Sequence, residues 1–226
     1  MGSLHNRPSL NIRTIADQLY YLIRDRILQG VLEEGEPIRQ DTIATELGIS
    51  KIPLREALAR LEQDGLVRSQ ANRGFMVNTL SAEEADEVFH LRRQLEPTAT
   101  VAGSREAGPA DHATARRAFE ALRDCGVSDN ADWGECNRAF HMALIRPGAG
   151  NLTYTMIERL NVIADRYVRF HLGPQGRPER ANCQHEEILE AWLTGEQKTL
   201  LKLVRDHIQE THDDLRHELP AVTGRR

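Results

Sequence analysis

The sequence predicts a mainly α-helical protein in two parts: a small three-helix unit closed by a β-hairpin, then an all-α bundle of six helices. Three observations carry this. Apolar residues recur at helical spacing through most of the 226 residues. Glycine and proline break that pattern into segments of helix length. Strand-like runs are confined to Leu66–Ser69 and Gly74–Val77, and after Leu80 strand signals stop. The parts are therefore read as 10–79 and 80–220.

Taken in order, Ile15, Leu19, Leu22, Ile23 and Ile27 form a stripe on a helix from Thr14 to Gln29, which Gly30 ends. Gly35-Glu36-Pro37 is a turn. Asp41 suits the N-cap of a short helix, Thr42 to Leu47, stopped by Gly48. Ser50 suits the next N-cap, with Pro53 still in the first turn, where its missing N–H does little harm. Leu54, Ala57, Leu58 and Leu61 line that helix, and Gly65 closes it. The two short strands then flank Gln70-Ala71-Asn72-Arg73. Beyond Leu80, helices are expected over about 81–104, 109–124, 128–146, 150–171, 178–194 and 196–218, parted by glycine- and proline-containing breaks.

Composition narrows the function. Charged residues make up 28% and hydrophobic ones 40%, and no run approaches the ~18 apolar residues of a membrane span. No secretory signal is evident at the N-terminus. Cys125, Cys136 and Cys183 are too scattered for a disulfide framework, and no C-x-x-C occurs, so a cytoplasmic location is expected. Residues 1–79 hold 10 Lys+Arg and 10 Asp+Glu, so the remaining 19 and 24 give the rest its net charge of −5. Any nucleic-acid surface must be local, in the neutral first third.

That third has the layout of a helix-turn-helix: two helices joined by Gly48-Ile49-Ser50, the second with a capped, polar start. Its outward residues are Ser50, Lys51, Ile52, Pro53 and Arg55. Arg55 can fork onto the two acceptors of a guanine, and Lys51 can donate to a base or a phosphate. Asn72, Arg73 and Gly74 at the hairpin tip can reach the adjacent minor groove or backbone. On spacing alone, Lys51 and Arg55 can equally be solvated surface charges.

Residues 14–78 resemble the winged helix-turn-helix of the GntR family of bacterial transcription regulators. The resemblance rests on Gly30-Val31-Leu32-Glu33-Glu34-Gly35, on Leu47 through Leu58 (LGISKIPLREAL), on Leu61-Glu62-Gln63-Asp64-Gly65-Leu66-Val67 and on the wing Asn72-Arg73-Gly74-Phe75-Met76-Val77. It implies a homodimer on a short palindromic double-stranded DNA operator. Lys51 departs from the family's usual Arg and offers a point charge where that residue offers a planar fork.

In the second part the chemistry lies in histidines. Of nine, His141, His185 and His207 fall on the apolar faces of three different helices, and Asn137 lies one turn before His141. Burying several imidazoles unpaired is costly. A divalent metal, zinc or nickel above all, would satisfy them together and keep positions open. Each can equally be a hydrogen-bonded core histidine. Asp86 and His90, four residues apart, read as a surface pair.

Residues 84–215 resemble the FCD effector domain of the FadR branch of that family, in its VanR-like subgroup. Leu91 through Glu96 (LRRQLE), Asn137 through His141 (NRAFH), His185-Glu186-Glu187-Ile188 and His207 carry the likeness. It implies a metal held by Asn137, His141, His185 and His207, with Asn137 in place of the family's Asp and so one negative charge fewer. A small organic acid is the expected effector, anchored on the metal and on Arg92, whose other possible partner is Glu96. Two alternatives stay open: a regulator with a metal-free ligand site, and a metal-dependent hydrolase, for which Glu186 is poorly placed as a base because adjacent helical residues point ~100° apart.

Overall fold

A computed structural model describes residues 14–71, 73–125, 133–171 and 177–218. The chain divides into two compact units, 1–78 and 79–226.

The first unit holds α1 (Ile15–Leu28), α2 (Gln40–Leu47), α3 (Lys51–Gln63), β1 (Val67–Gln70) and β2 (Gly74–Val77). A reciprocal cap starts α1: the Asp17 N–H donates to Thr14 Oγ1 and the Thr14 N–H donates to the Asp17 carboxylate. Gln29 is the C-cap, and Gly30 follows in the left-handed region. α2 begins two residues earlier than expected, with Arg39 at the N-cap and Asp41 inside the first turn. The Asp41 carboxylate pairs with the Lys51 ammonium across the helix-turn-helix, so it caps nothing. Gly48 turns the chain at φ +64°, a conformation glycine adopts without strain. α3 presses Leu54, Ala57, Leu58 and Leu61 into the core, against α1.

β1 and β2 pair antiparallel, from Val67 opposite Val77 to Gln70 opposite Gly74. The segment expected as a plain turn does more. Gly35 and Ile38 donate N–H bonds to the Val77 and Phe75 carbonyls, and Val77 donates back to Glu36. This stretch therefore lines the free edge of β2, with Pro37 opposite Met76.

The second unit comprises α4 (Ala82–Glu106), α5 (Pro109–Cys125), α6 (Trp133–Ile145), α7 (Asn151–His171), α8 (Arg177–Thr194) and α9 (Gln197–Glu218). α4 runs along α7 and α9, and α5 packs on α6. Phe89, Phe140, Tyr167, Trp192, Leu200 and Val204 fill the core, each at most 1% exposed. α4 meets α6 at Gly103, where a Cβ would stand 1.9 Å from the Leu144 carbonyl oxygen. Trp192 Nε1–H donates to that carbonyl at 3.0 Å, tying α8 to the same crossing.

Two expectations need correction. Cys125 and Cys136 form a disulfide, because the α5–α6 hairpin brings together residues that look scattered along the chain; Cys183 is free and exposed. Asp86 does not pair with His90, which is exposed. Its carboxylate takes His212 Nε2 at 2.7 Å and Arg216 at 2.9 Å, both from α9. The buried His212 ring also stacks on Phe89 at 5.1 Å. Packing of α9 on α4 created these contacts, and nothing local signals them.

Candidate nucleic-acid interface and metal centre

The start of α3 presents its side chains outward. Ser50, Lys51, Ile52 and Arg55 are exposed and Pro53 is half-buried. Ser50 holds the N-cap position in extended conformation, yet its hydroxyl makes no capping bond, so neither the hydroxyl nor the helix-start N–H groups are taken up by the cap. Lys51 is drawn to Asp41, while Arg55 makes no ion pair or hydrogen bond among the described residues. Arg73 is exposed at the hairpin, beside Gly74 at φ +78°. Asn72 lies outside the described residues.

Inside the helical unit, α6, α8 and α9 bring His141, His185 and His207 together. One ligand atom from each ring lies within 4.8 Å of the others, and the rings are 3%, 0% and 7% exposed. His185 Nε2 and His207 Nε2 stand 3.2 Å apart. Two nitrogens on one ion with ~2.1 Å bonds have that separation when the ligand angle is roughly 100°, between octahedral and tetrahedral. His141 Nε2, His185 Nδ1 and Asn137 Oδ1 are buried without hydrogen-bond partners. The donor set thus fits a divalent metal: three imidazoles, with a carbonyl oxygen one helical turn before His141.

Burial keeps these rings neutral. Desolvation, reinforced by Arg92 and Arg180, pushes His207 down to about 3. His141 and His185 are held well below the usual histidine range, by desolvation first, then by the repulsion that protonating one clustered ring would set against another and, for His141, by Arg92. Neutral imidazole is the form that ligates metal.

One support was missed in the sequence. The Gln184 amide NH2 donates to Glu210 at 2.6 Å, which turns its oxygen toward His207 Nδ1 at 2.8 Å. His207 therefore carries its proton on Nδ1 and offers the Nε2 lone pair to the cluster. Gln184 neighbours His185 in sequence but reaches the ring of the next helix, so spacing gave no clue.

Arg92 is 5% exposed and near enough to the rings to depress His141 and His207. Its Nε and Nη2 donate to Glu96 at 2.5 and 3.3 Å, and Asn161 donates to the same carboxylate at 2.9 Å. The structure therefore makes the Glu96 pairing. Arg138 and Asp165, 3.2 Å apart, add a second buried pair. Sequence reading missed Asn161, Arg138 and Asp165, whose inward direction only the packing shows.

A small winged helix-turn-helix with an exposed, cationic helix start, followed by a bundle with a polar interior, defines a two-part DNA-binding regulator. The model of the bacterial regulatory proteins of the gntR family matches residues 15–77, and that of the FCD domain matches residues 87–210. The chain belongs to the GntR family of transcriptional regulators and carries an FCD domain. Among its relatives is the HTH-type transcriptional repressor RspR of Escherichia coli (strain K12), 23% identical over 209 residues, 89% of each chain. The uncharacterized HTH-type transcriptional regulator YdhC of Bacillus subtilis (strain 168) is 24% identical over 89% of this chain and 91% of its own. In fold the chain is similar to E. coli McbR/YncC, with a TM-score of 0.79 at 21% identity over 91% of this chain and 99% of that one. The chain is thus a transcriptional regulator and not an enzyme, which removes the hydrolase alternative. Among the described residues no helix is long and apolar enough to cross a membrane.

Proposed function

We propose that this regulator binds a palindromic operator as a homodimer and is switched by a small organic acid held at a divalent metal, zinc or nickel, inside the helical unit. The observation that carries the reading is the convergence of three buried imidazoles, with an unpartnered Asn137 oxygen one helical turn before His141. His141, His185 and His207 would hold the ion, with Asn137 as an oxygen ligand and Gln184 fixing the tautomer of His207. All four ligands are neutral, so a bound dication would attract a carboxylate to its open positions. Arg92 gives two of its five donors to Glu96, and the remaining N–H groups can meet the same carboxylate. Effector binding would favour one arrangement of the helices, and only such differential affinity can move the DNA equilibrium. One recognition helix per chain fits a dimer, since a palindrome needs two.

The 3.2 Å His185–His207 hydrogen bond supports a second reading, in which the rings satisfy one another and the ligand site is metal-free. Thermal unfolding with and without chelator and zinc separates the two. Zinc at 100 times its dissociation constant should add ~2.7 kcal/mol to the wild type and nothing to His141→Ala/His185→Ala. Equal behaviour of both proteins selects the metal-free reading.

A further inference from the structure

We infer that Ile52 reads the 5-methyl group of a thymine next to the guanine contacted by Arg55. The inference rests on the chain's reading as a DNA-binding regulator and assigns a chemical role to one side chain of that surface. Ile52 is 70% exposed in the first turn of α3. An exposed isoleucine alone means little, since Ile15 and Val31 are also exposed. Its neighbours on the helix give the position meaning. Residues at i, i+3, i+4 and i+7 share a face, and from Ile52 this row is Arg55, Glu56 and Ala59, all exposed. The row thus opens on a branched aliphatic group beside an unpaired guanidinium.

The other cations nearby are engaged elsewhere. Lys51 pairs with Asp41, and Arg60 donates to Asp17 at 2.6 Å while lying over the Tyr20 ring. Arg55 is thus the cation of these turns without an ion pair among the described residues, and Ile52 is the apolar side chain beside it. Their chemistries complement one base step: guanine offers two acceptors to an arginine fork, and thymine offers its methyl to an apolar group. Three helical residues advance about 4.5 Å, more than one base step of ~3.4 Å and less than two, so the two side chains can address neighbouring bases.

The test uses the full-length protein and an operator that it selects from a random duplex pool. Each thymine is replaced in turn by deoxyuridine, which removes only the methyl, and binding is followed by fluorescence anisotropy. One thymine per half-site should prove sensitive, with affinity falling about fourfold per half-site, the effect of one buried methyl. That thymine should adjoin a guanine whose 7-deaza replacement weakens the wild type but not Arg55→Ala. Ile52→Ala should bind thymine and uracil operators within ~1.5-fold of each other, and Ile52→Val should keep the preference. Indifference to every methyl, a selected half-site without such a thymine, or full discrimination by Ile52→Ala overturns the inference. A pool that yields no preferred sequence brings down the DNA-binding reading itself, and Ile52's role with it.

Discussion

In the N-terminal unit the interior is aliphatic and the charges stand outside. Ile23, Ile27, Leu54, Leu58, Leu61 and Leu66 are at most 1% exposed. Arg24 is the one buried charge among its described residues, lying over the Tyr21 ring and paired with Asp25. The helical unit also has an apolar core, but it buries charged and polar groups beside it. Arg92, Glu96, Arg138, Asp165 and the three clustered histidines are buried between helices. A unit that reads a large external partner can keep its core apolar and carry its function on one exposed helix. A unit that receives a small polar ligand, as proposed for this one, holds polar groups inside and against one another, at a cost in desolvation.

Each half of this contrast can be broken. The largest effect is expected at Glu96. Glu96→Ala strands Arg92 in the interior and should cost ~3–5 kcal/mol in urea unfolding, whereas Arg92→Met/Glu96→Leu should be near neutral or stabilising. A small loss for the single variant would mean that the pair is hydrated. In the reading unit, Leu58→Ala should cost ~2–5 kcal/mol by cavity formation, and DNA binding should fall with the folded fraction. Retained stability would show that this core is loosely packed. Gln184→Ala should leave unfolding in the absence of metal little changed but weaken zinc binding ~10–100-fold by isothermal titration. An unchanged affinity would place the amide outside the support of His207.

The smallest effect concerns the surface cap. Hydrogen bonds from Thr14 and then the Arg60 guanidinium lower the Asp17 carboxyl to about 2. Its folded value lies below the unfolded one, so the contribution is full above the ordinary carboxylate value of 3.8 and is lost as pH falls toward about 2. The gap in urea midpoint between wild type and Asp17→Ala should be small at pH 6 and close over that window. A gap that persists at low pH would show that the cap works without the charge.

Much of this arrangement was legible along the chain. The period of Leu54, Ala57, Leu58 and Leu61 fixed which face of α3 is inward, and so left Lys51, Ile52 and Arg55 outward. Periodicity also turned His141, His185 and His207 toward the bundle. Arg92 and Glu96, four residues apart on one helix, offered their pairing by spacing as one of two readings, which the structure then decided. What escaped were partners across elements. Asp41 looked like a cap until α3 brought Lys51 beside it. Asp86 looked tied to His90 until α9 supplied His212 and Arg216. Cys125 and Cys136 looked unrelated until two helices folded back on each other.

Local order along the backbone therefore settled the helices, their breaks, the hairpin and the direction in which each imidazole faces, because period, glycine conformation and capping act within a few residues. Packing alone decided that three rings meet, that Gln184 orients one of them and that Glu96 already holds Arg92. Those outcomes depend on which helices lie side by side, and that choice is made by the summed burial of the whole bundle.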